Sequence, residues 1–197
     1  MSAEGKKIDF SKLVKDIHMN ALTHGWWDTA RPESETIALI HSEWSEALEA
    51  HRAGEGLMFT KESVWPVGSE KAPTKEKPEG IAVELIDGCI RIYDYAQHKG
   101  IPINDPFDDS PWPIDVSEIP YGSFPKMIAD LHWLTTNVYR SAYGFHDPCN
   151  EAKATYLSAI IRIVFLWCTR QGIDPLVVMK WKHEYNVTRP YKHGKRY

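Results

Sequence analysis

The chain has few cysteines, no surplus of positive charge and no long uninterrupted apolar run, and each shortage closes off a class of protein. Its three cysteines, Cys89, Cys149 and Cys168, are an odd number, and none sits in a CxxC pair. A disulfide framework is therefore not expected. Cys89 and Cys168 fall inside apolar helical patterns and read as buried thiols in a reducing compartment. The longest apolar stretch, residues 159–168, is interrupted by Arg162 and falls short of a membrane span. The opening MSAEGKKIDF lacks the apolar run of a signal peptide. A cytoplasmic protein with no membrane partner is the expectation. Net charge is −4 with a pI near 6.1, so no nucleic-acid polymer is expected as a partner. His41, His51, His132 and His146 show no metal-ligand spacing with one another. Neither Glu46 nor Glu84 is followed by histidine three residues on, which removes a ferritin-like di-iron bundle.

What the chain does have is helical periodicity. Its 197 residues, 43% hydrophobic and 25% charged, suffice for one domain with a real core. Phe10, Leu13, Val14, Ile17 and Ala21 form an apolar stripe that predicts a first helix over residues 9–23. After the aromatic turn HGWWDTARP, Pro32 and Gly54 bracket a second helix with Ile37, Ile40, Trp44, Ala47 and Leu48 inward. A long polar loop at 54–78 follows, with a short strand expected at LMFT. A third helix is expected over 78–99, ending at Gly100, then an irregular Pro- and Asp-rich insert at 100–120. Ser123 caps a fourth helix reaching Tyr143, with Met127, Ile128, Leu131, Leu134 and Val138 inward. Asp147-Pro148 and Asp174-Pro175 open a fifth helix to Gln171 and a sixth to Asn186. The fold class is all-α, a bundle of about five to six helices in a single domain spanning 1–197.

One internal echo stands out. CIRIYDYAQHKGI, from Cys89, and IIRIVFLWCTRQGI, from Ile160, are alike up to a one-residue offset. Thr155 and Ser158 stand in the second copy where Glu84 and Asp87 stand in the first. Decayed duplication and chance convergence of two buried helices both account for it.

The chemistry lies in the carboxylates. Glu43 and Glu46, at i and i+3, flank the apolar stripe of the second helix. The third helix is apolar around most of its circumference, and its narrow polar face carries Glu84, Asp87, Arg91 and Asp94. Carboxylates gathered in such a place repel unless a cation neutralises them. Two helices each offering acids at i, i+3 make a set of hard oxygen ligands suited to Mg²⁺ or Mn²⁺. An ExxE pair on a solvated face, and an ExxD satisfied by Arg91 or a lysine, explain the same spacing. Spacing alone leaves both readings standing.

Three segments, IALIHSEWSEALEAHRAG, KPEGIAVELIDGCIRIYDYA and KWKHEYNVTRPYKHGKRY, together resemble the signature segments of the MazG-like nucleotide pyrophosphohydrolases. The family pattern is two adjacent acids, two residues, a third acid, a spacer, then ExxD. Glu43 and Glu46 match the second and third acids, and Glu84 and Asp87 match ExxD. Ser42 replaces the first acid, and the spacer is longer than usual. The resemblance covers His24 to Asp94 and Lys180 to the end; residues 100–169 match no motif.

The resemblance implies a Mg²⁺-dependent hydrolase, with Mn²⁺ able to substitute. It would cut the α–β phosphoanhydride of an NTP or dNTP to give a monophosphate and pyrophosphate. It implies Glu43, Glu46, Glu84 and Asp87 as metal ligands, with Glu43 or Glu46 orienting the water. Lys182, Asn186 and Arg189, at i, i+4, i+7, would bind phosphates together with Tyr191, Lys192 and Lys195 of the tail. His24, Trp26 and Trp27 lie where related enzymes stack the base, one of the two tryptophans also serving as a core anchor. A homodimer or homotetramer is implied as well. The alternative is a non-catalytic nucleotide-binding or protein-interaction member of the same fold; a helix-turn-helix DNA binder fits the acidic centre poorly.

Overall fold

The computed structural model describes residues 8–60, 76–107, 123–141 and 150–194. Six α-helices run α1 Phe10–Thr23, α2 Glu33–Arg52, α3 Ile81–Lys99, α4 Phe124–Ser141, α5 Asn150–Arg170 and α6 Pro175–Val187, and a short 3₁₀ turn follows at Tyr191–Gly194. The all-α bundle expected from periodicity is what forms. The Asp147-Pro148 cap, Lys195, and most of the 54–78 loop and the 100–120 insert lie outside the described residues.

The local signals act where the chemistry says they should. Asp9 accepts from the Lys12 N–H and caps α1, and Asp174 accepts from the Leu176 N–H ahead of Pro175 in α6. The α3 helix begins at Ile81 rather than near Pro78. Glu79 is held in an isolated antiparallel bridge to Phe59, and the carbonyls of Gly56 and Leu57 accept from the Ile81 and Ala82 N–H groups. That bridge is all that becomes of the strand expected at LMFT; among the described residues no strand is built.

Two helical hairpins, α2–α3 and α4–α5, pack with α2 against α4 and α3 against α5, while α1 and α6 flank α3. His51 near the end of α2 stacks at 4.5 Å on Phe124 at the start of α4, so these two helices run antiparallel. Lys153 at the start of α5 reaches the Tyr95 hydroxyl near the end of α3, so that pair is antiparallel too. One contiguous core joins all six helices. By length and composition α5 is long and apolar enough to cross a membrane, contrary to the expectation that no stretch approaches this. Most of that stretch is instead buried in the bundle, which is why it is apolar nearly all round.

Trp44 joins three helices. Its ring is fully buried and its Nε1–H donates to Thr135 Oγ1 of α4 at 3.0 Å. On the other side it lies against Gly88 of α3, so closely that a Cβ at that position would fall 2.3 Å from the indole. Glycine in a helix interior costs about 1 kcal/mol relative to alanine. Here that cost admits the indole, and the close approach brings the neighbours Glu43 and Asp87 to the same seam.

Candidate functional site

Carboxylate oxygens of Glu43, Glu84 and Asp87 lie within 4.8 Å of one another across the α2–α3 seam. Glu43 is only 3% exposed and Glu84 9%. Two cations are built in with them. Arg91 Nε donates to Glu43 Oε1 at 2.6 Å, and Lys182 Nζ, brought in by α6, lies 2.9 Å from Asp87 Oδ2. Three close acids thus face two close cations, leaving one carboxyl without a paired cation in a shielded place.

The titration of the group reflects that shielding first and the mutual repulsion of the acids second. Burial pushes the Glu43 carboxyl up to about 8, with Asp87 and Glu46 adding repulsion and Arg91 only partly opposing it. Burial likewise raises Glu84 to about 7 against the pull of Lys182. Asp87 goes the other way: burial would raise it, but Lys182 and Arg91 hold it below the usual carboxylate range. Lys182 stays charged despite burial because Asp87 and Glu84 face it. Glu46 stands apart from the trio. It is exposed on α2, and its charge is nonetheless felt by Glu43, Glu84 and Arg91.

Beside the acids opens a cleft lined along α3 by Asp87, Ile90, Arg91 and Asp94 and elsewhere by residues of α1, α2, α6 and the C-terminal turn. Asn186 and Arg189 both line it. Arg189 does so without sharing a helical face with Lys182, since α6 ends at Val187 and Thr188 caps it. Its charge still helps to hold Asp87 ionised. Lys182 itself is engaged with Asp87 rather than free in the cleft.

Tyr191 and Lys192 hold the C-terminal turn in place. The Tyr191 ring lies on Gly25, whose φ of +76° suits glycine and where a Cβ would sit 2.0 Å from the ring; its hydroxyl donates to Asp28 at 2.7 Å. The Lys192 N–H donates to the His24 carbonyl at 2.9 Å. Left-handed backbone at Lys192 and His193 then turns His193 inward to line the cleft. Burial, reinforced by Arg189, pushes His193 down to about 4, so it enters the cleft as a neutral ring.

The three aromatic residues expected to grip a base divide. His24 ties chain segments together, its ring nitrogens 2.8 Å from the Asn20 carbonyl and 2.9 Å from that of Arg189. Trp27 is an anchor: its Nε1–H donates to both oxygens of Asp94, and its ring stacks on His98 at 3.6 Å. His18 Nδ1 engages the same Asp94 at 2.7 Å. Trp26 alone of the three lines the cleft, edge-on to His193 at 5.3 Å and with the Arg31 guanidinium 5.0 Å from its ring centre.

Arg31 and His193 were not foreseen as site residues. The one available signal for Arg31 was its place in an aromatic turn leading into the acidic helix; His193 depends on a kink that no periodicity announces. The pairing of His41 with His132, ring nitrogens 2.7 Å apart between α2 and α4, was equally hidden by their separation in sequence. No family model, curated protein or solved structure matches this chain.

Proposed function

We propose that the protein is a Mg²⁺-dependent nucleoside triphosphate pyrophosphohydrolase, as its resemblance to MazG-like enzymes implies. The observation that carries this reading is the abutment of a surplus-acid trio on a cleft lined by arginines. The donor set fits a hard divalent cation: three carboxylates, two of them raised toward neutrality by burial and repulsion, offer only oxygen ligands. Glu43, Glu84 and Asp87 would hold the ion, with Glu46 at the exposed edge able to act through water. When bound, Mg²⁺ (or Mn²⁺) supplies charge neutralisation at the phosphates and a more acidic water.

The remaining roles belong to the chain. Arg91 and Arg189 neutralise charge developing on the phosphates, which is most of what such a reaction requires. Lys182 keeps Asp87 ionised. Glu43 or Glu46 orients the attacking water. Trp26 bounds the base end of the cleft, and the turn at residues 191–194 shields it from solvent. Assembly as a homodimer or homotetramer and a cytoplasmic setting belong to the same proposal.

The ion pairs Glu43–Arg91 and Asp87–Lys182 favour one second reading, a nucleotide binder whose acids are neutralised internally. Incubation with Mg²⁺ and a panel of NTPs and dNTPs, separating pyrophosphate from orthophosphate, decides between them. Pyrophosphate release that collapses in Glu84→Gln supports the enzyme. Orthophosphate release means another bond is cut, and no turnover with Mg²⁺ or Mn²⁺ leaves the binder.

A further inference from the structure

Among the described residues, four side chains have a buried polar atom without a partner, and three of these line the one cleft: Arg31 Nη2, Asn186 Oδ1 and His193 Nε2. The Arg31 side chain is 8% exposed and Asn186 7%. Buried donors and acceptors are nearly always satisfied, so such a grouping marks where a ligand supplies the missing partners.

Position along the cleft separates their tasks. Asp87, Arg91 and Asp94 follow one another at i, i+4 and i+7 on α3, so Asp94 lies about 10 Å along the helix from the acid trio. Arg31 belongs to the Asp94 end. It faces both Trp26 and Trp27, and Trp27 is bonded to Asp94. A nucleotide whose α-phosphate lies by the trio extends through its sugar toward that end with its base.

Arg31 is also held in one orientation. Its Nε donates to Glu35 Oε1 at 2.5 Å, which offsets the charge and pins the guanidinium plane. What the structure leaves without a partner is the buried Nη2, a nitrogen with two directed N–H groups, beside an indole. The 6-position and N7 of guanine or hypoxanthine present two acceptors to such a donor, whereas adenine places an amino donor at the 6-position.

We propose that Arg31 reads the edge of the nucleobase and makes the cleft selective for 6-oxopurines over adenine. This deepens the pyrophosphohydrolase reading and rests on it for the direction in which the nucleotide lies.

The cleanest test compares ITP with ATP, which share sugar and triphosphate. In the wild-type protein with Mg²⁺, kcat/KM for pyrophosphate release favours ITP by about tenfold or more. Arg31→Met brings the ratio close to one. Equal efficiency with both nucleotides in the wild type overturns the proposal while leaving the catalytic reading intact. Calorimetric titration of the metal-free protein with IMP and AMP separates the two claims. Tighter IMP binding without hydrolysis of any triphosphate supports Arg31 as the base reader and overturns catalysis. Should Arg31→Met fail to fold by circular dichroism, the wild-type ITP/ATP ratio and the IMP/AMP titration decide alone.

Discussion

The two central hairpins share a plan and differ in what their polar groups do. Both α3 and α5 end in a left-handed glycine, Gly100 and Gly172, followed by a buried isoleucine whose N–H returns to the helix at 2.9 Å. In the α4–α5 half the polar groups serve the fold. Ser158 Oγ accepts from the Asn104 N–H at 3.0 Å, and the buried Lys153 donates to Glu33 at 2.7 Å. In the α2–α3 half the acids outnumber the cations beside them, and the adjoining cleft has polar atoms with no partner. Polarity that closes on itself fixes structure; polarity left open is where a ligand belongs.

The largest effect should come from Gly88. In the echo of α3 in α5 its counterpart is Ala159, which already has a Cβ and is fully buried. Gly88→Val drives side-chain atoms into Trp44 and parts α2 from α3. A loss of about 3 kcal/mol or more is expected by urea denaturation, with activity at background. Ala159→Gly should cost only about 1 kcal/mol and leave activity measurable. Equal penalties at the two positions would remove the claim that the close approach is special to the acid-bearing hairpin.

Removing Lys182 comes next. Lys182→Met strands Asp87 beside two other acids, and losing one partner of a buried pair costs about 3–5 kcal/mol. The matched change, Lys153→Met, leaves Glu33 half-buried with the Tyr95 hydroxyl still donating to it, so its cost should be smaller. The sharper difference is in rescue. Millimolar Mg²⁺ should recover melting temperature for Lys182→Met and not for Lys153→Met, because only the first leaves an acid trio for a cation to neutralise. On the proposed pyrophosphohydrolase reading, activity should divide the hairpins in the same way. Glu84→Gln should lower kcat/KM about a hundredfold or more, while Ser158→Ala should leave it unchanged and cost about 1 kcal/mol of stability.

Much of this architecture could be read from the sequence, for definable reasons. Helix positions followed from apolar stripes and from caps such as Asp174, because both act over a few residues; the cap that Asp9 makes on α1 came only with the structure. Glu84 and Asp87 were legible because α3 is apolar nearly all round, so its acids had to face a shared site. Glu46 was legible as an acid but not as an exposed one, since its orientation depends on how α2 turns against α3. Lys182 was expected to meet phosphate and meets Asp87, an alternative that ExxD spacing had left open. Arg31 and His193 come from non-helical segments, where side-chain direction is set by the tertiary fold. The resemblance to MazG-like enzymes supplied a reaction; periodicity supplied only the place where it would occur.

The smallest effect is a difference in pH dependence, and it isolates the open polarity of the α2–α3 half. Glu84 is raised from an ordinary carboxyl value to about 7 in the folded protein. A raised acid binds its proton more tightly when folded, so the stability it contributes is fully present below the unfolded value and is lost as pH rises through 7. Several histidines, among them His41, His132 and His193, are depressed and act in the opposite sense, so the melting curve of the wild type alone is a mixture. Comparing wild type with Glu84→Gln in EDTA cancels the histidines, because glutamine mimics the protonated carboxyl at every pH. The two proteins should melt together near pH 4.5. By pH 8 the variant should be the more stable, by at most about 3 kcal/mol from the size of the shift and less after solvent screening. Saturating Mg²⁺ should reverse the order at pH 8, since only the wild type retains the full carboxylate set. A gap that stays constant with pH would mean that burial among these acids does not raise Glu84, and the contrast between the hairpins would lose its electrostatic basis.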